Sequence, residues 1–554
     1  MRLEKRARRV YTTKITRTTR RAALRRGIPA LRRGASQVKD ISMHDHSEYL
    51  NRILLSRVYD VAVETPLDEA VSLSRRLGNK VLLKREDLQP VFSFKLRGAY
   101  NKMARLSPEE LRRGVIAASA GNHAQGVALS AQRLGCEATI VMPVTTPAIK
   151  ISAVRRLGGQ VVLSGESFSD AWRHTQDLIG QSGAVFIPPF EDPDVIAGQG
   201  TIGMEILRQH PGEIHAVFVP IGGGGMAAGV AAYIKHLRPE IRVIGVEPVD
   251  SDAMRRSIMA GYPVELSDVG LFADGVAVKL VGEETFALCR DLLDDIITVD
   301  TDAICGAIKD IFEDTRVVAE PAGALSLAGL RAYAANGGVK DATLVAIVSG
   351  ANMNFDRLGH VVDRSEIGAE REALLAVTIP EQMGSFRRLC TAIGKRSITE
   401  LCTRFADPER ARVLVGIKIQ GKGDVAEVLA DLREQGFTVI DLSDNELAKL
   451  HLRHMVGGNA PQVGNERLLR FAFPERPGAL LDLIDAMRVE FNITLFQYRY
   501  HGADFGRVLM GFDVPDEQRE AFEDFLARVE RMGYPHVDES DNPAYKMFLG
   551  WHDA

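Results

Sequence analysis

Lys95 lies in the stretch SFKLRGAY, residues 93–100, between Phe94 and Leu96 with Arg97 close behind. A lysine in apolar company either stretches its ammonium group to water or, kept dry, loses its charge more readily. The second state is chemically useful, because a neutral amine attacks an aldehyde and forms a Schiff base. Three further stretches could serve such an amine. VPIGGGGMAAG, residues 219–229, places four glycines between an apolar run and a small-residue helix. Without Cβ atoms, successive backbone N–H groups converge on an anion, and the helix N-terminus after them favours negative charge, so phosphate binding is the physical expectation. SAGNHAQG, 119–126, offers the hydroxyl of Ser119, the backbone of Ala120, Gly121 and His123 and the amide of Asn122 at a second helix start, an arrangement suited to a carboxylate. VAIVSGANMN, 345–354, ends a further strand on Ser349, whose hydroxyl could cap a turn or meet a ring nitrogen.

Each stretch has an ordinary alternative: a snorkelling lysine, a tightly packed turn, a helix cap. The glycine segment also fits a different chemistry. Gly222-x-Gly224-x-x-Ala227 matches the relaxed dinucleotide fingerprint, and Glu247 follows at the end of the next strand, where a ribose-binding acid would sit. A nicotinamide oxidoreductase therefore competes, although it gives Lys95 no role. An aldehyde that carries a phosphate, by contrast, is pyridoxal phosphate, and it would use all four stretches.

These residues need elements to hold them. From Glu48 to about His360, short β-branched runs alternate with amphipathic helical ones. VLLKRED (81–87), GVIAAS (114–119), ATIVMP (138–143), QVVLSG (160–165), AVFVP (216–220), RVIGVEP (242–248) and ATLVAIVSG (342–350) read as buried parallel strands. A region of this length predicts two α/β subdomains with a cleft between them, residues 43–360 in all. After a linker at 361–372 the texture changes to an internal repeat. LLAVTIPEQMGSFRRLCTAIG (374–394) aligns with LLRFAFPERPGALLDLIDAMR (468–488), and ITELCTRFADPERARVLVGI (398–417) with ITLFQYRYHGADFGRVLMGF (493–512) at an offset of 95. Each copy, 373–455 and 467–554, reads strand, helix, two strands, helix, strand, which is the order of a ferredoxin-like α+β unit. The Gly/Asn/Pro-rich segment 456–466 is the linker between them.

The chain has 554 residues, 45% hydrophobic and 26% charged, the profile of a globular protein of several units. The longest uncharged run, Ala216 to Ile234, is divided by its glycines, so no membrane span is predicted. The five cysteines form no CxxC pair and no zinc spacing, pointing to a reducing compartment. His44 and His46 flanking Asp45 read as a solvated loop, and no metal is expected. Residues 1–42 hold 14 Lys/Arg against Glu4 and Asp40, leaving 55 basic and 71 acidic residues for the rest. Disorder, a transit peptide, a nucleic-acid tail or a start at Met43 would all suit that composition. We read no function into it and expect no nucleic-acid partner.

Taken in order, SFKLRGAY, SAGNHAQG, PFEDPDVIAGQGT, VPIGGGGMAAG and VSGAN resemble the tryptophan-synthase-like class of pyridoxal-phosphate enzymes, and within it the biosynthetic threonine dehydratases. The resemblance runs from about Glu48 to near the C-terminus, where the doubled unit corresponds to two ACT-like regulatory domains. It implies a two-subdomain α/β fold with parallel sheets, followed by two ferredoxin-like α+β domains. It implies that Lys95 binds pyridoxal phosphate covalently with Phe94 beside the ring, that Asn122 meets the ring's phenolic oxygen, and that Gly222, Gly223, Gly224, Gly225 and Met226 hold the phosphate. Ser349 would meet the pyridine nitrogen, Ser119 to His123 the substrate carboxylate, and Glu320, in AEPAGA, would sit near the cofactor.

The reaction so implied is β-elimination. Lys95 removes the α-proton of L-threonine, the hydroxyl leaves, and the products are 2-oxobutanoate and ammonia, the first committed step of isoleucine biosynthesis; L-serine would give pyruvate. A hydroxyl at the ring nitrogen keeps the ring nearer neutral than a carboxylate would, which favours elimination over racemisation. The resemblance further implies inhibition by isoleucine opposed by valine, a homotetramer built by the catalytic regions, and the cytoplasm, or a mitochondrion or plastid if residues 1–42 are a transit peptide. Tyr498 and Arg499 match the family's effector-binding segment. In the first copy Thr403 stands before Arg404 where relatives often carry tyrosine, which puts one effector site in question. An amino-acid sensor without catalysis is the remaining alternative.

Overall fold

In the computed structural model the described residues are 47–545, apart from 338, 369–370, 395, 405–408, 420–421, 446–447, 449–462, 464, 475–478, 488–490, 500–504 and 543–544. The basic extension, the His44–His46 pair and most of the 456–466 linker therefore lie outside them. The chain divides into Met1–Asp45 and His46–Ala554, and the described residues all belong to the second unit.

The part of the chain before the repeat contains two sheets. The larger runs Leu67–Glu69, Lys80–Arg85, Thr343–Val348, Ala216–Pro220, Arg242–Pro248, Asp295–Val299 across its width. All neighbours are parallel except the first pair. Ala216–Pro220 is buried along its whole length, as expected of a central parallel strand covered on both faces, and this is why it reads as an unbroken apolar run. The smaller sheet orders Gln160–Leu163, Ala138–Met142, Val115–Ala118, Val185–Phe186, again all parallel. Every strand expected from the alternation is present. Leu67–Glu69, Val185–Phe186 and Asp295–Val299 were not anticipated, being three, two and five residues long and without a sustained apolar pattern.

Parallel sheets gather their chemistry at the carboxyl ends of the strands. The lysine segment follows Lys80–Arg85, the glycine loop Ala216–Pro220, Ser349 Thr343–Val348, and Ser119 Val115–Ala118. The helices that leave these ends have clear local causes. Asn122–Leu134 stops at Gly135, which takes the left-handed conformation with φ 69°. Pro193–Gln209 starts where Asp192 accepts from the Asp194 and Val195 amides, with proline at the first helical position.

The repeat folds as two strand–helix–strand–strand–helix–strand units that merge into one antiparallel eight-stranded sheet. The seam is the pairing of Ile398–Arg404 with Asn492–Arg499, in which Leu401 faces Tyr498 and Thr403 faces Phe496. Since 401 and 496, and 403 and 498, are equivalent positions of the two copies, the seam is a pseudo-two-fold axis. The duplication also survives in buried polar detail. Thr399 donates to Glu372 beside Gly416, and Thr494 donates to Glu466 beside Gly511. A Cβ on either glycine would collide with the threonine hydroxyl, so the carboxylate–hydroxyl pair requires glycine opposite it.

Candidate active site

Lys95 opens the Lys95–Met103 helix. The loop before it is tied to the VSGAN loop, since Phe94 N–H donates to the Ser349 carbonyl (3.2 Å) and Ala351 N–H to the Phe92 carbonyl (2.9 Å). Phe92 holds φ 55°, the left-handed region, at this junction. Lys95 Nζ lies 5.3 Å from the Phe94 ring centroid and donates to the Pro189 carbonyl at 2.9 Å. Burial pushes its ammonium down to about 8, with the Glu320 charge pulling partly the other way. The lysine is therefore half-buried and easily deprotonated, held by a neutral acceptor.

The glycine loop has a pinned and a free side. The Gly223 carbonyl accepts from Thr285 Oγ1 at 2.6 Å, and the Gly224 carbonyl from the Ala228 amide at 2.8 Å. Because a trans peptide points its C=O and N–H oppositely, the Gly224 and Gly225 N–H groups face away from those partners. Gly225 and Met226 begin the Gly225–Leu237 helix, whose first N–H groups have no partner within it. A Cβ would enter the Phe190 ring at Gly223, approach Met254 to 2.7 Å at Gly224 and Phe190 backbone to 3.0 Å at Gly225, and reach 3.0 Å from the Val276 Cα at Gly222. Close packing thus requires the glycines, and it leaves a row of donors on the side away from those contacts.

After the Val115–Ala118 strand of the smaller sheet, Asn122 heads its helix and is held at both ends of its amide. Its nitrogen donates to Glu320 Oε1 at 2.6 Å, and its oxygen accepts from Asn352 Nδ2 at 2.7 Å. Asn352 also donates to the Val91 carbonyl. Glu320 is 5% exposed, and burial raises its carboxyl to about 7, helped by the Asp274 charge and opposed by the Asn122 hydrogen bond. Ser349 is buried and donates to the Ala322 carbonyl at 3.2 Å. Ser119 Oγ accepts from Gly121 N–H at 3.3 Å. His123 is turned inward: its Nε2 meets the Ile187 carbonyl at 2.8 Å, and burial, then the Lys95 charge, lowers it to about 3. The ring is neutral, with its proton on Nε2, so His123 can serve the loop only through its backbone.

Glu247 decides against the dinucleotide alternative. It is fully buried, and its two carboxylate oxygens accept from the Met254 and Arg255 amides, both at 2.9 Å, capping the Ala253–Ala260 helix rather than awaiting a ribose. Among the described residues no group of side chains has the makings of a metal site. Thr285, Pro189 and Asn352 were missed from sequence. Asn352 sits inside the VAIVSGANMN motif and Pro189 opens PFEDPDVIAGQGT, although neither was assigned a role, whereas Thr285 acts from a distant segment that carries no local signal.

Comparison with known proteins agrees with this geometry. Residues 58–350 match the model of the pyridoxal-phosphate dependent enzymes, and 363–452 and 457–549 match the C-terminal regulatory domain of threonine dehydratase. The chain is 58% identical to the biosynthetic L-threonine dehydratase of Burkholderia multivorans, over 91% of this chain and 99% of that one. The chain belongs to the biosynthetic threonine dehydratase family. It is 52% identical to the Escherichia coli relative over 91% of this chain and 97% of that one. Among solved structures it is similar to the processed form of threonine deaminase isoform 2 from Solanum lycopersicum, with TM-score 0.58 and 54% identity over 59% of this chain and 90% of that one. Pyridoxal phosphate is the cofactor of this family, and the residues present fit it: an aldehyde-reactive lysine, a one-sided row of N–H donors for a phosphate, and a hydroxyl at a third strand end.

The high pKa of Glu320 has a cost. From an ordinary 4.5 to about 7, the carboxylate form is disfavoured in the folded state. The cost is absent below pH 4.5, grows as pH rises, and is complete above 7 at about 3 kcal/mol. Glu320→Gln should therefore stabilise the protein against urea at pH 8 by up to that amount, and the gain should vanish near pH 4.5. Equal gains at both pH values would show that Glu320 is not strained in this way.

Proposed function

We propose that the protein deaminates L-threonine to 2-oxobutanoate and ammonia by β-elimination, with L-serine as a secondary substrate, under feedback by isoleucine opposed by valine. The observation that carries the catalytic reading is the convergence, on the carboxyl ends of separate parallel strands, of a lysine whose pKa burial lowers, a one-sided row of glycine N–H groups and a clamped asparagine.

Pyridoxal phosphate, when bound, supplies the electron sink that makes the α-proton of an amino acid acidic. Phe94, Lys95, Asn122, Gly222 to Met226 and Ser349 are the residues that would hold it. Lys95 Nζ, kept short of full protonation by burial, takes the α-proton as general base. The N–H groups and hydroxyl of Ser119 to His123 receive the substrate carboxylate. Asn122 and Asn352 fix that loop against Glu320, and Glu320, which titrates near neutrality, stands ready to hold or release a proton beside Asn122 Nδ2.

The effector reading rests on the seam of the regulatory sheet. A pocket there is lined by Met383, Gly384, Phe386 and Thr403 of the first copy and Ile484 and Phe491 of the second. Its apolar wall suits a branched aliphatic side chain, and the start of the Ser385–Ile393 helix at Gly384 suits a carboxylate. At the equivalent position of the second copy, Tyr498 is 1% exposed and packs against Phe473 at 5.7 Å between ring centroids, filling the space that Thr403 leaves open. The side chains of Arg404 and Arg499 lie outside the described residues. We also assign the enzyme to the cytoplasm and to a homotetramer; the exposed Leu54, Leu55, Tyr59 and Val63 offer apolar surface that self-assembly would cover. Among the described residues no helix is long and apolar enough to cross a membrane.

The test is release of 2-oxobutanoate from threonine, with and without isoleucine and valine. Turnover should be suppressed by isoleucine and recovered with valine. An unchanged threonine saturation curve with isoleucine would end the effector reading, whereas absence of 2-oxobutanoate would end the catalytic one.

A further inference from the structure

The short turn Asp274–Val276 touches several parts of the site at once. It lies between the Arg242–Pro248 and Asp295–Val299 strands and so belongs to the larger subdomain. Val276 backs onto the glycine loop, where a Cβ on Gly222 would come 3.0 Å from its Cα. Gly275 lies under the Glu320–Asn122 pair: a Cβ there would meet Ala322 Cβ at 2.9 Å, Glu320 Oε1 at 3.7 Å and Asn122 Nδ2 at 4.0 Å. Asp274, whose charge is felt by Glu320, binds two cations. Its Oδ2 accepts from Lys150 Nζ at 2.7 Å, and its Oδ1 lies 3.4 Å from Arg357 Nη1.

Lys150 belongs to the other subdomain. It sits on the Ala148–Arg156 helix, between the Ala138–Met142 and Gln160–Leu163 strands of the small sheet. The Lys150–Asp274 pair therefore spans the cleft beside the Asn122–Glu320 hydrogen bond, and the two polar links approach the same turn. Arg357 also donates to the Phe272 carbonyl at 3.0 Å, so it fixes the aspartate on the larger subdomain and leaves Lys150 as the cross-cleft partner.

We propose that Asp274 is a positioning residue for the reaction: by holding Lys150 across the cleft, it sets how closely the small subdomain, with its Ser119–His123 carboxylate loop, approaches the glycine loop and Glu320. The proposal rests on the proposed function, which puts the site at the carboxyl ends of strands from both sheets. Asp274 and Lys150 are both partly exposed, and the role assigned to them involves no proton transfer. Their effect falls on the geometry in which the amino acid is received, where small displacements change rates steeply.

The experiment compares holoenzymes carrying Asp274→Asn, Lys150→Ala, both together, and Lys150→Arg. Each single loss should raise KM for threonine by about tenfold with kcat changed by about threefold or less, while Lys150→Arg stays near the parent. The double variant should be no worse than the worse single, because both remove one contact. Hydrogen exchange of the 148–156 peptide should quicken in both singles. KM values unchanged in the singles, effects that multiply in the double variant, or unchanged exchange at 148–156 would each overturn the proposal. Should Asp274→Asn fail to fold, the partly exposed Lys150→Ala still decides it. Parent turnover in the same assay separates failure of the Lys150–Asp274 proposal from failure of the proposed function, and the exchange measurement does not depend on turnover.

Discussion

Lys95→Ala should lower the release of 2-oxobutanoate by about 1,000-fold or more, since it removes both the amine that would hold the cofactor and the general base. The lost side chain is half-buried with a single neutral acceptor, the Pro189 carbonyl, so its removal leaves no charge unpaired and the fold should persist. Borohydride reduction of the parent should fix pyridoxal phosphate to the peptide that contains residues 93–100, and the variant should take up no label there. Full activity in a folded variant would sink the assignment of Lys95, whatever else remained of the site.

Arg97→Met should be the most damaging substitution to stability. Two residues beyond the lysine, Arg97 is fully buried and donates to Glu86 at 2.7 and 2.8 Å and to Glu205 at 2.6 and 3.0 Å. Lys84, equally buried, meets Glu205 at 2.5 Å and the Thr65 carbonyl at 2.6 Å. Two cations and two carboxylates thus balance in the interior, joining the Lys80–Arg85 strand, the Lys95–Met103 helix and the Pro193–Gln209 helix. Burial alone would lower the Arg97 pKa, but the charges of Glu86 and Glu205 raise it instead. Removing the guanidinium leaves two buried carboxylates with one lysine, and breaking a buried pair in this way costs about 3–5 kcal/mol. Urea unfolding checks it: Arg97→Met should lose stability of that order, and adding Glu86→Leu should restore part of it. A loss below about 1 kcal/mol would show that the network contributes little.

The parts of the site that were legible in the sequence are those in which one short segment contains both the chemistry and its scaffold. SFKLRGAY, the four glycines and SAGNH each lie at a strand end that local composition already marks. What stayed hidden depends on approach between remote segments. Thr285 pins the Gly223 carbonyl from a helix 62 residues away, and Pro189 receives Lys95 from 94 residues away. Glu247 had the right spacing for a ribose acid and was committed to capping a helix, a choice that only the position of residues 254 and 255 reveals. The inward turn of the His123 ring onto the Ile187 carbonyl was likewise invisible in sequence, and it leaves the backbone role read there open. In the regulatory half, the internal repeat and its strand–helix order predicted both units. That the copies join edge to edge followed from no single residue.

The seam has a further consequence for how these chains can meet one another. By pairing Ile398–Arg404 with Asn492–Arg499, the two copies bury the long strand edges that a lone unit would leave open. Among the described strands, the borders of the sheet are then Thr438–Asp441 and His536–Asp538, four and three residues long, each ending in an aspartate. Short, charged borders are poor templates for another chain's backbone. Growth of the sheet from molecule to molecule is thereby discouraged, and contacts between regulatory units fall to their side-chain faces, where association can be specific and reversible.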